Sequence, residues 1–352
     1  MSRLLSTSDQ DVTQAAEALR LGGLVAFPTE TVYGLGASAR DPRALVRLYA
    51  AKGRPSEHPV IVHLPSALAL TTWAREVPDA AWRLAEAFWP GPLTLVLSRA
   101  ADVPDEVTGG QDTVGLRVPD HPLALRLLQA FAGGVAAPSA NRFGRISPTT
   151  AGHVVDEFAD LDVLVLDGGA CRVGLESTIV DLSGGAPRIL RPGGVHRRAL
   201  EEALGERVAL AVHLLEREAR PVGGAAPASA SGEPRAPGGL PRHYAPSTPA
   251  ELVSSAALEE RLAELGGGVG VLARRPRQGG PSGTWLELPD EPEAFGRGLY
   301  AALRHLDAGG WRRILIETVP EGDDWLAVRD RLRRATSAVD AAGGSCERED
   351  GA

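Results

Sequence analysis

Cysteine, methionine and aromatic side chains are scarce in this chain: its 352 residues hold two cysteines, one methionine and 5% Phe, Trp and Tyr together. Cys171 and Cys346 cannot build a disulfide framework, so a reducing cytoplasm is the expected compartment. No Cys/His spacing matches a zinc site. No apolar run approaches the length that spans a bilayer, and the opening Met-Ser-Arg-Leu-Leu-Ser-Thr lacks the apolar core of a signal peptide. Positive charge is also short, since 37 Lys and Arg against 45 Asp and Glu leave a net charge of −8. That balance argues against a broad phosphate-binding surface, although a local basic cleft would survive the average. No Walker-type glycine loop and no dinucleotide fingerprint follows a first strand. The triple glycine at 266–268 leads into a strand, the wrong order for either.

What remains is ordinary soluble-protein composition, 43% apolar and 23% charged, in a length comfortable for two domains. Residues 1–205 alternate helix and strand signals, as an α/β domain requires. Val12–Leu21 reads as a helix stopped by Gly22-Gly23, and Asp41 caps a second helix with Pro42 at its first position. Strands are expected at Leu24–Phe27, Val60–Leu64, Leu93–Leu97, Val114–Val118, Val135–Ala137, Val163–Leu166, Thr178–Asp181 and Ile189–Leu190. A helix over Thr149–Phe158 takes its cap from Ser147-Pro148. Residues 206–249 form a linker whose Ala-, Pro-, Gly- and Ser-rich part starts near Arg220. It ends in Arg242-His243-Tyr244-Ala245-Pro246, too aromatic and polar to be filler. A smaller α/β domain is expected over 250–342, followed by a disordered tail over 343–352.

The chemistry concentrates at strand ends. Phe27-Pro-Thr-Glu-Thr-Val-Tyr-Gly-Leu-Gly36 leaves an apolar strand for hydroxyls, a carboxylate and a phenol, then two glycines that let a ligand approach the backbone. Lys52-Gly-Arg54 projects two cations from one tight turn. They suit the oxygens of a polyanion, or a helix C-terminus favoured by the macrodipole. His63 ends a strand and reads either as a structural residue or as a ligand contact. Period two places Thr113, Gly115 and Arg117 on one face, where Arg117 is a carboxylate clamp or a solvated charge. Ala137-Pro-Ser-Ala-Asn141 presents a hydroxyl and an amide two residues apart, for a phosphate or base or as an ordinary turn. Glu176 and Ser177 enter another strand, and Arg191-Pro-Gly-Gly194 adds a cation at a strand end. Glu30 and Glu176 are the candidate acid–base pair. Trp73, Trp82 and Trp89 sit among apolar helix residues, as core does.

These segments, in this order, resemble the YrdC-like threonylcarbamoyl-AMP synthase family in its long, two-domain branch. The match runs through Phe27–Gly36, Lys52–Pro55, Pro59–His63, Trp89–Thr94, Thr113–Pro119, Ala137–Asn141, Ser147–Thr149, Gly174–Ile179, Arg191–Gly193 and His243–Pro246. The resemblance implies a twisted, open α/β sheet domain carrying a smaller Rossmann-like α/β domain, with the linker passing over the active site. It implies condensation of L-threonine, bicarbonate and ATP into threonylcarbamoyl-AMP and pyrophosphate, with Mg2+ held through the ATP phosphates. The product would pass to a separate transferase complex that modifies a tRNA adenosine beside the anticodon.

By the same resemblance Thr31, His63, Arg117, Ala137 and Ser177 hold threonine. Lys52, Arg54, His58, Thr113, Ser139, Asn141, Ser147, Arg191 and Tyr244 hold ATP, and Lys52, Arg54, Ser139 and Asn141 are the catalytic set. Glu30 and Tyr33 become shaping residues. The family usually has Asn where His58 stands, and an aromatic residue where Pro241 precedes the His-Tyr-Ala-Pro motif. Two rival readings are a carbamoyl-adenylate-dependent carbamoyltransferase and a module binding RNA directly. The first usually brings acylphosphatase or zinc-finger-like segments, which the sequence lacks, and the −8 balance weighs against the second.

Overall fold

The computed structural model describes residues 2–218, 233–238, 243–277 and 285–337. Among them, eleven strands form one large sheet: β1 (Arg3–Leu5), β2 (Val25–Phe27), β3 (Gly34–Ser38), β4 (Ile61–His63), β5 (Leu93–Ser98), β6 (Thr113–Arg117), β7 (Val135–Ala136), β8 (Leu164–Leu166), β9 (Thr178–Asp181), β10 (Arg188–Arg191) and β11 (Ala209–Leu210). Their spatial order is β1-β8-β2-β3-β7-β4-β6-β5-β9-β10-β11. Parallel pairs such as β4·β6 and β5·β9 alternate with antiparallel ones such as β2·β3 and β5·β6, so the sheet is mixed. β3 joins β2 as a hairpin in which Val25 faces Gly36 and Phe27 faces Gly34. Hence the motif Phe27–Gly36 is a strand, a loop and a second strand.

Helices pack on this sheet through apolar stripes. The helix Asp9–Arg20 starts where Ser8 accepts from Asp11 N and buries Val12, Ala15, Ala16 and Leu19. Pro42–Lys52 begins as expected, with Asp41 accepting from Arg43 N at 2.9 Å, and Gly53 ends it in the left-handed region at φ 61°. The helix Ala151–Glu157 differs from expectation in its cap. Thr150, not Ser147-Pro148, accepts from His153 N at 3.3 Å, which leaves the Ser147 hydroxyl for another partner. Among the elements of the first body that the sequence pattern did not show are β1, the glycine-rich β3 and the helices Asp105–Thr108 and Arg197–Leu204.

The second sheet is four-stranded and wholly parallel: β12 (Ala250–Val253), β13 (Val269–Ala273), β14 (Trp285–Glu287) and β15 (Arg313–Glu317), in the order β12-β15-β13-β14. Helices Leu258–Leu265, Pro292–Asp307 and Leu326–Thr336 connect and cover it. Pro241, Cys346, residues 219–232 and 239–242 of the linker, and the expected tail lie outside the described residues. One apolar cluster joins the two bodies, since Val32, Ile146, Leu175 and Tyr244 pack with Phe295, Leu299, Tyr300, Leu303 and Val328. Among the described residues no helix is long and apolar enough to cross a membrane.

Candidate active site

The wall of the site begins in the β2–β3 loop, where backbone and hydroxyls tie each other down. Thr29 Oγ1 donates to Val32 O at 2.7 Å, accepts from the backbone N–H groups of Thr31 and Val32, and meets Thr31 Oγ1 at 2.8 Å. Thr31 is thereby fixed in a fully buried position. Glu30 turns away to pair with Arg117 Nη2 at 2.7 Å and to accept from Asp120 N at 3.0 Å. Tyr33 donates to Gly169 O at 2.8 Å and accepts from Gly168 N. Both residues shape the loop, as expected. The glycines divide: Gly34 lines the cavity, whereas a Cβ on Gly36 would meet Val135 Cγ1 at 2.8 Å and Phe27 Cε1 at 2.9 Å. Gly36 therefore serves sheet packing, not ligand approach.

Parallel pairing of β4 with β6 sets His63 beside Arg117. Burial first, then Arg117, pushes the His63 imidazole down to about 3, so the ring is neutral at physiological pH. Its Nδ1 is buried without a hydrogen-bond partner. Arg117 Nε donates to Gly91 O at 3.2 Å, which together with Glu30 fixes the plane of the guanidinium. Across the cavity Ser177 Oγ meets Thr94 Oγ1 at 2.8 Å and accepts from Arg191 Nη2 at 3.0 Å. Thr31, His63, Arg117, Ala137 and Ser177 all line one cavity.

Arg54, Ser139, Arg191 and Tyr244 line the same cavity from the other side. Arg54 donates to Pro59 O at 2.8 Å, and burial lowers it to about 10. Arg191 donates to Ser177 O at 2.9 Å and to Pro237 O at 3.0 Å. The remaining expected nucleotide residues stand outside the lining. Lys52 is buried, its ammonium on Ser139 O at 2.5 Å and on Asn141 O, and burial followed by Arg54 holds its pKa well below the usual lysine range. It pins the Ser139–Asn141 turn. Asn141 Nδ2 donates to Arg142 O and Arg145 O, leaving Oδ1 buried without a partner. Ser147 donates to Glu176 Oε1 at 2.6 Å. His58 packs on Phe143, with ring centroids 5.5 Å apart. Thr113 is half-buried and pairs across the sheet with Ser98.

Four residues of the second body, Tyr300, Asp330, Arg331 and Arg334, brace the wall of the cavity from behind its lining. Glu176 Oε2 accepts from Tyr300 OH and from Arg331 Nε, each at 2.8 Å. Arg331 and Arg334 both reach Asp330 at 2.9 Å, and Arg334 Nη1 donates to Gly238 O. Burial pushes the Glu176 carboxyl up, but Arg331, Arg191 and Ser147 outweigh it and hold it below the usual range. Glu30 and Glu176 are thus each committed to a different cation and do not form an acid–base pair. The sequence held one clue to Arg331: Val328, Arg331, Leu332 and Ala335 follow helical spacing, so Arg331 sits on an apolar stripe.

The described linker residues close the cavity. Pro237, Gly238, His243 and Tyr244 line it and leave a volume of about 50 Å3. Tyr244 adopts φ 60°, a left-handed conformation costly for a tyrosine and held here by packing. Its ring stacks on Tyr300 at 5.6 Å, with the Arg331 guanidinium 5.2 Å from its centroid.

Two family models account for both bodies: "Telomere recombination" matches residues 17–193, and "Threonylcarbamoyl-AMP synthase, C-terminal domain" matches residues 195–337. A threonylcarbamoyl-AMP synthase of Pyrococcus abyssi is 42% identical over 337 residues, covering 92% of this chain and 93% of its own. The chain belongs to the threonylcarbamoyl-AMP synthase family. The member from Bacillus subtilis is 36% identical and covers 94% of each chain. The crystal structure of P. abyssi Sua5 complexed with L-threonine matches at a TM-score of 0.85 and 40% identity, over 96% of this chain and 97% of that one.

Proposed function

We propose that this chain condenses L-threonine, bicarbonate and ATP into threonylcarbamoyl-AMP with release of pyrophosphate, in the cytoplasm. The observation that carries the reading is one buried cavity lined by a threonine-sized set (Thr31, His63, Arg117, Ala137, Ser177) facing a phosphate-directed set (Arg54, Ser139, Arg191). Arg117, its plane fixed by Glu30 and Gly91, suits the substrate carboxylate. The neutral, unpartnered His63 Nδ1 suits an N–H or O–H donor of the substrate.

The threonine amine takes up bicarbonate to give a carbamate and water. A carbamate oxygen then attacks the ATP α-phosphorus, the bond to the β-phosphate oxygen breaks, and pyrophosphate leaves. Such a reaction needs positioned anions and neutralised charge more than a strong side-chain nucleophile. Arg54 and Arg191 supply the charge, while Lys52 holds the Ser139–Asn141 turn against the nucleotide. Among the described residues no cluster of three or more His, Cys, Asp or Glu could hold a metal. Glu176, the carboxylate in the lining, already accepts from Ser147, Tyr300 and Arg331. Mg2+ would arrive on the ATP phosphates and neutralise part of their charge.

A cavity of about 50 Å3 is far below the ~300–1,000 Å3 of ordinary ligand sites. ATP would displace the linker segment, its phosphates replacing the Pro237 carbonyl on Arg191. The product would be handed to a separate transferase acting on tRNA. Pyrophosphate release tests the reading: with ATP, Mg2+ and bicarbonate present, folded protein should release it only when threonine is added. Absence of threonine dependence would sink the proposal.

A further inference from the structure

The second body contains a cavity the proposed chemistry does not use. All four of its strands are parallel, so their carboxyl ends gather along one edge. After β13 the chain goes outward to β14, whereas after β15 it runs into the helix Leu326–Thr336, on the β12 side. Neighbouring strands whose chains leave in opposite directions open a crevice, where ligands of α/β sheets bind. Here the crevice holds about 510 Å3, within the range of small-molecule sites, and shares no lining residue with the catalytic cavity.

The lining comes from the ends of β12, β13 and β15 and from the helix Leu326–Thr336. Arg274 follows β13, Ser254 follows β12, Thr318 follows β15, and Arg329 and Arg333 lie one helical turn apart on Leu326–Thr336. Just outside the lining, the buried Glu317 accepts from Ser255 Oγ at 2.6 Å and from Arg274 N at 2.7 Å. Arg274 also pairs with Asp290, donates to Ser255 Oγ at 3.3 Å, and keeps a buried Nε without a partner. Arg329 Nη1 holds the Pro320 and Gly322 carbonyls at 3.1 and 2.8 Å, shaping the rim. The lining carries Glu321 and three guanidinium groups, of which Arg274 is also paired with Asp290 and Glu317, and Leu252, Val319 and Leu332 add apolar surface.

We propose that this crevice is a second ligand site, for a nucleotide. Its phosphate would meet Arg274, Arg333 and the Ser254 and Thr318 hydroxyls, and its base the apolar surface. An arginine grip of this kind needs no glycine loop, in keeping with the absence of one before β13. The helix that would sense the ligand also carries Arg331 and Arg334, which reach Glu176 and the Gly238 carbonyl in the catalytic site. Occupancy would therefore stabilise the helix that grips the catalytic wall.

Calorimetric titration of the full chain with ATP, AMP and inorganic phosphate tests this. The expected result is a binding class that survives Arg54→Ala and weakens with salt. Arg333→Glu and, independently, Ser254→Asp on the exposed β12 loop should weaken it by about tenfold or more, the scale of a lost charge-assisted contact. Pyrophosphate release at saturating ATP should persist in Ser254→Asp. If none of the three probes binds the Arg54→Ala protein at millimolar concentration, or if both crevice variants bind as tightly as their parent, the site does not exist. Failure of the catalytic reading would instead show as absent threonine-dependent turnover, with this binding class intact.

Discussion

Replacing Arg331 with Met removes the cation that the second body inserts against Glu176. The guanidinium is fully buried and gives Nε to Glu176 Oε2 at 2.8 Å and Nη1 to Asp330 Oδ2 at 2.9 Å. Without it, Glu176 keeps hydrogen bonds from Tyr300 and Ser147 but loses its ion-pair partner in a buried setting. Breaking a buried pair from one side costs about 3–5 kcal/mol, a large part of the ~5–15 kcal/mol typical of a whole domain. The strain should fall on the docking of the two bodies, because one partner belongs to each. We therefore expect Arg331→Met to unfold at lower denaturant concentration, in two separated steps. Adding Glu176→Gln removes the stranded charge, so the double variant should recover at least ~1–2 kcal/mol relative to additivity. Denaturant unfolding of the four proteins of the cycle measures this. A loss below ~1 kcal/mol in Arg331→Met, or strict additivity with Glu176→Gln, would refute the reasoning.

Other consequences concern single residues. His63, lowered from 6.5 to about 3, is neutral when folded and protonated when unfolded throughout that window. The unfolded state then binds the extra proton, so the His63 contribution falls by about 1.4 kcal/mol per pH unit from 6.5 downward and is constant above it. His63→Gln should flatten the pH dependence of unfolding between those limits, and an unchanged slope would show that the ring is not held neutral. Lys52→Met should leave the fold intact but cut turnover by about 10²-fold, the effect of misplacing the Ser139–Asn141 turn, as steady-state kinetics would show. Gly36→Val puts carbon where Val135 and Phe27 already lie, and should lower stability by ~1–3 kcal/mol in denaturant unfolding, or prevent folding.

Much of this was legible locally. Asp41-Pro42 announced a capped helix, and the alternation Thr113–Arg117 reappears as β6 with Val114 and Leu116 buried. β3 escaped because Gly34-Leu-Gly-Ala-Ser38 has almost no β-forming side chains; pairing with β2 and β7 makes it a strand. β12 escaped for a similar reason, with apolar residues only at Leu252 and Val253 beyond its first alanine. The strand-end residues of the first body were found through their hydroxyls and charges. Tyr300, Arg331 and Arg334 were not, because they act across the fold, the first two on Glu176 and the third on the Gly238 carbonyl, and Asp330 was not, because its role is to hold those two arginines. Lys52, expected at the nucleotide, also holds two backbone carbonyls of the Ser139–Asn141 turn, which no sequence signal announced.

The central claim is that bicarbonate carbon and threonine end up joined to AMP in one product. The most direct test incubates the protein with ATP, Mg2+, threonine and 13C-labelled bicarbonate and weighs the nucleotide product. The account predicts threonylcarbamoyl-AMP carrying the heavy carbon, formed in step with pyrophosphate. Pyrophosphate released without a threonine-containing adenylate, or an adenylate without the label, would contradict it.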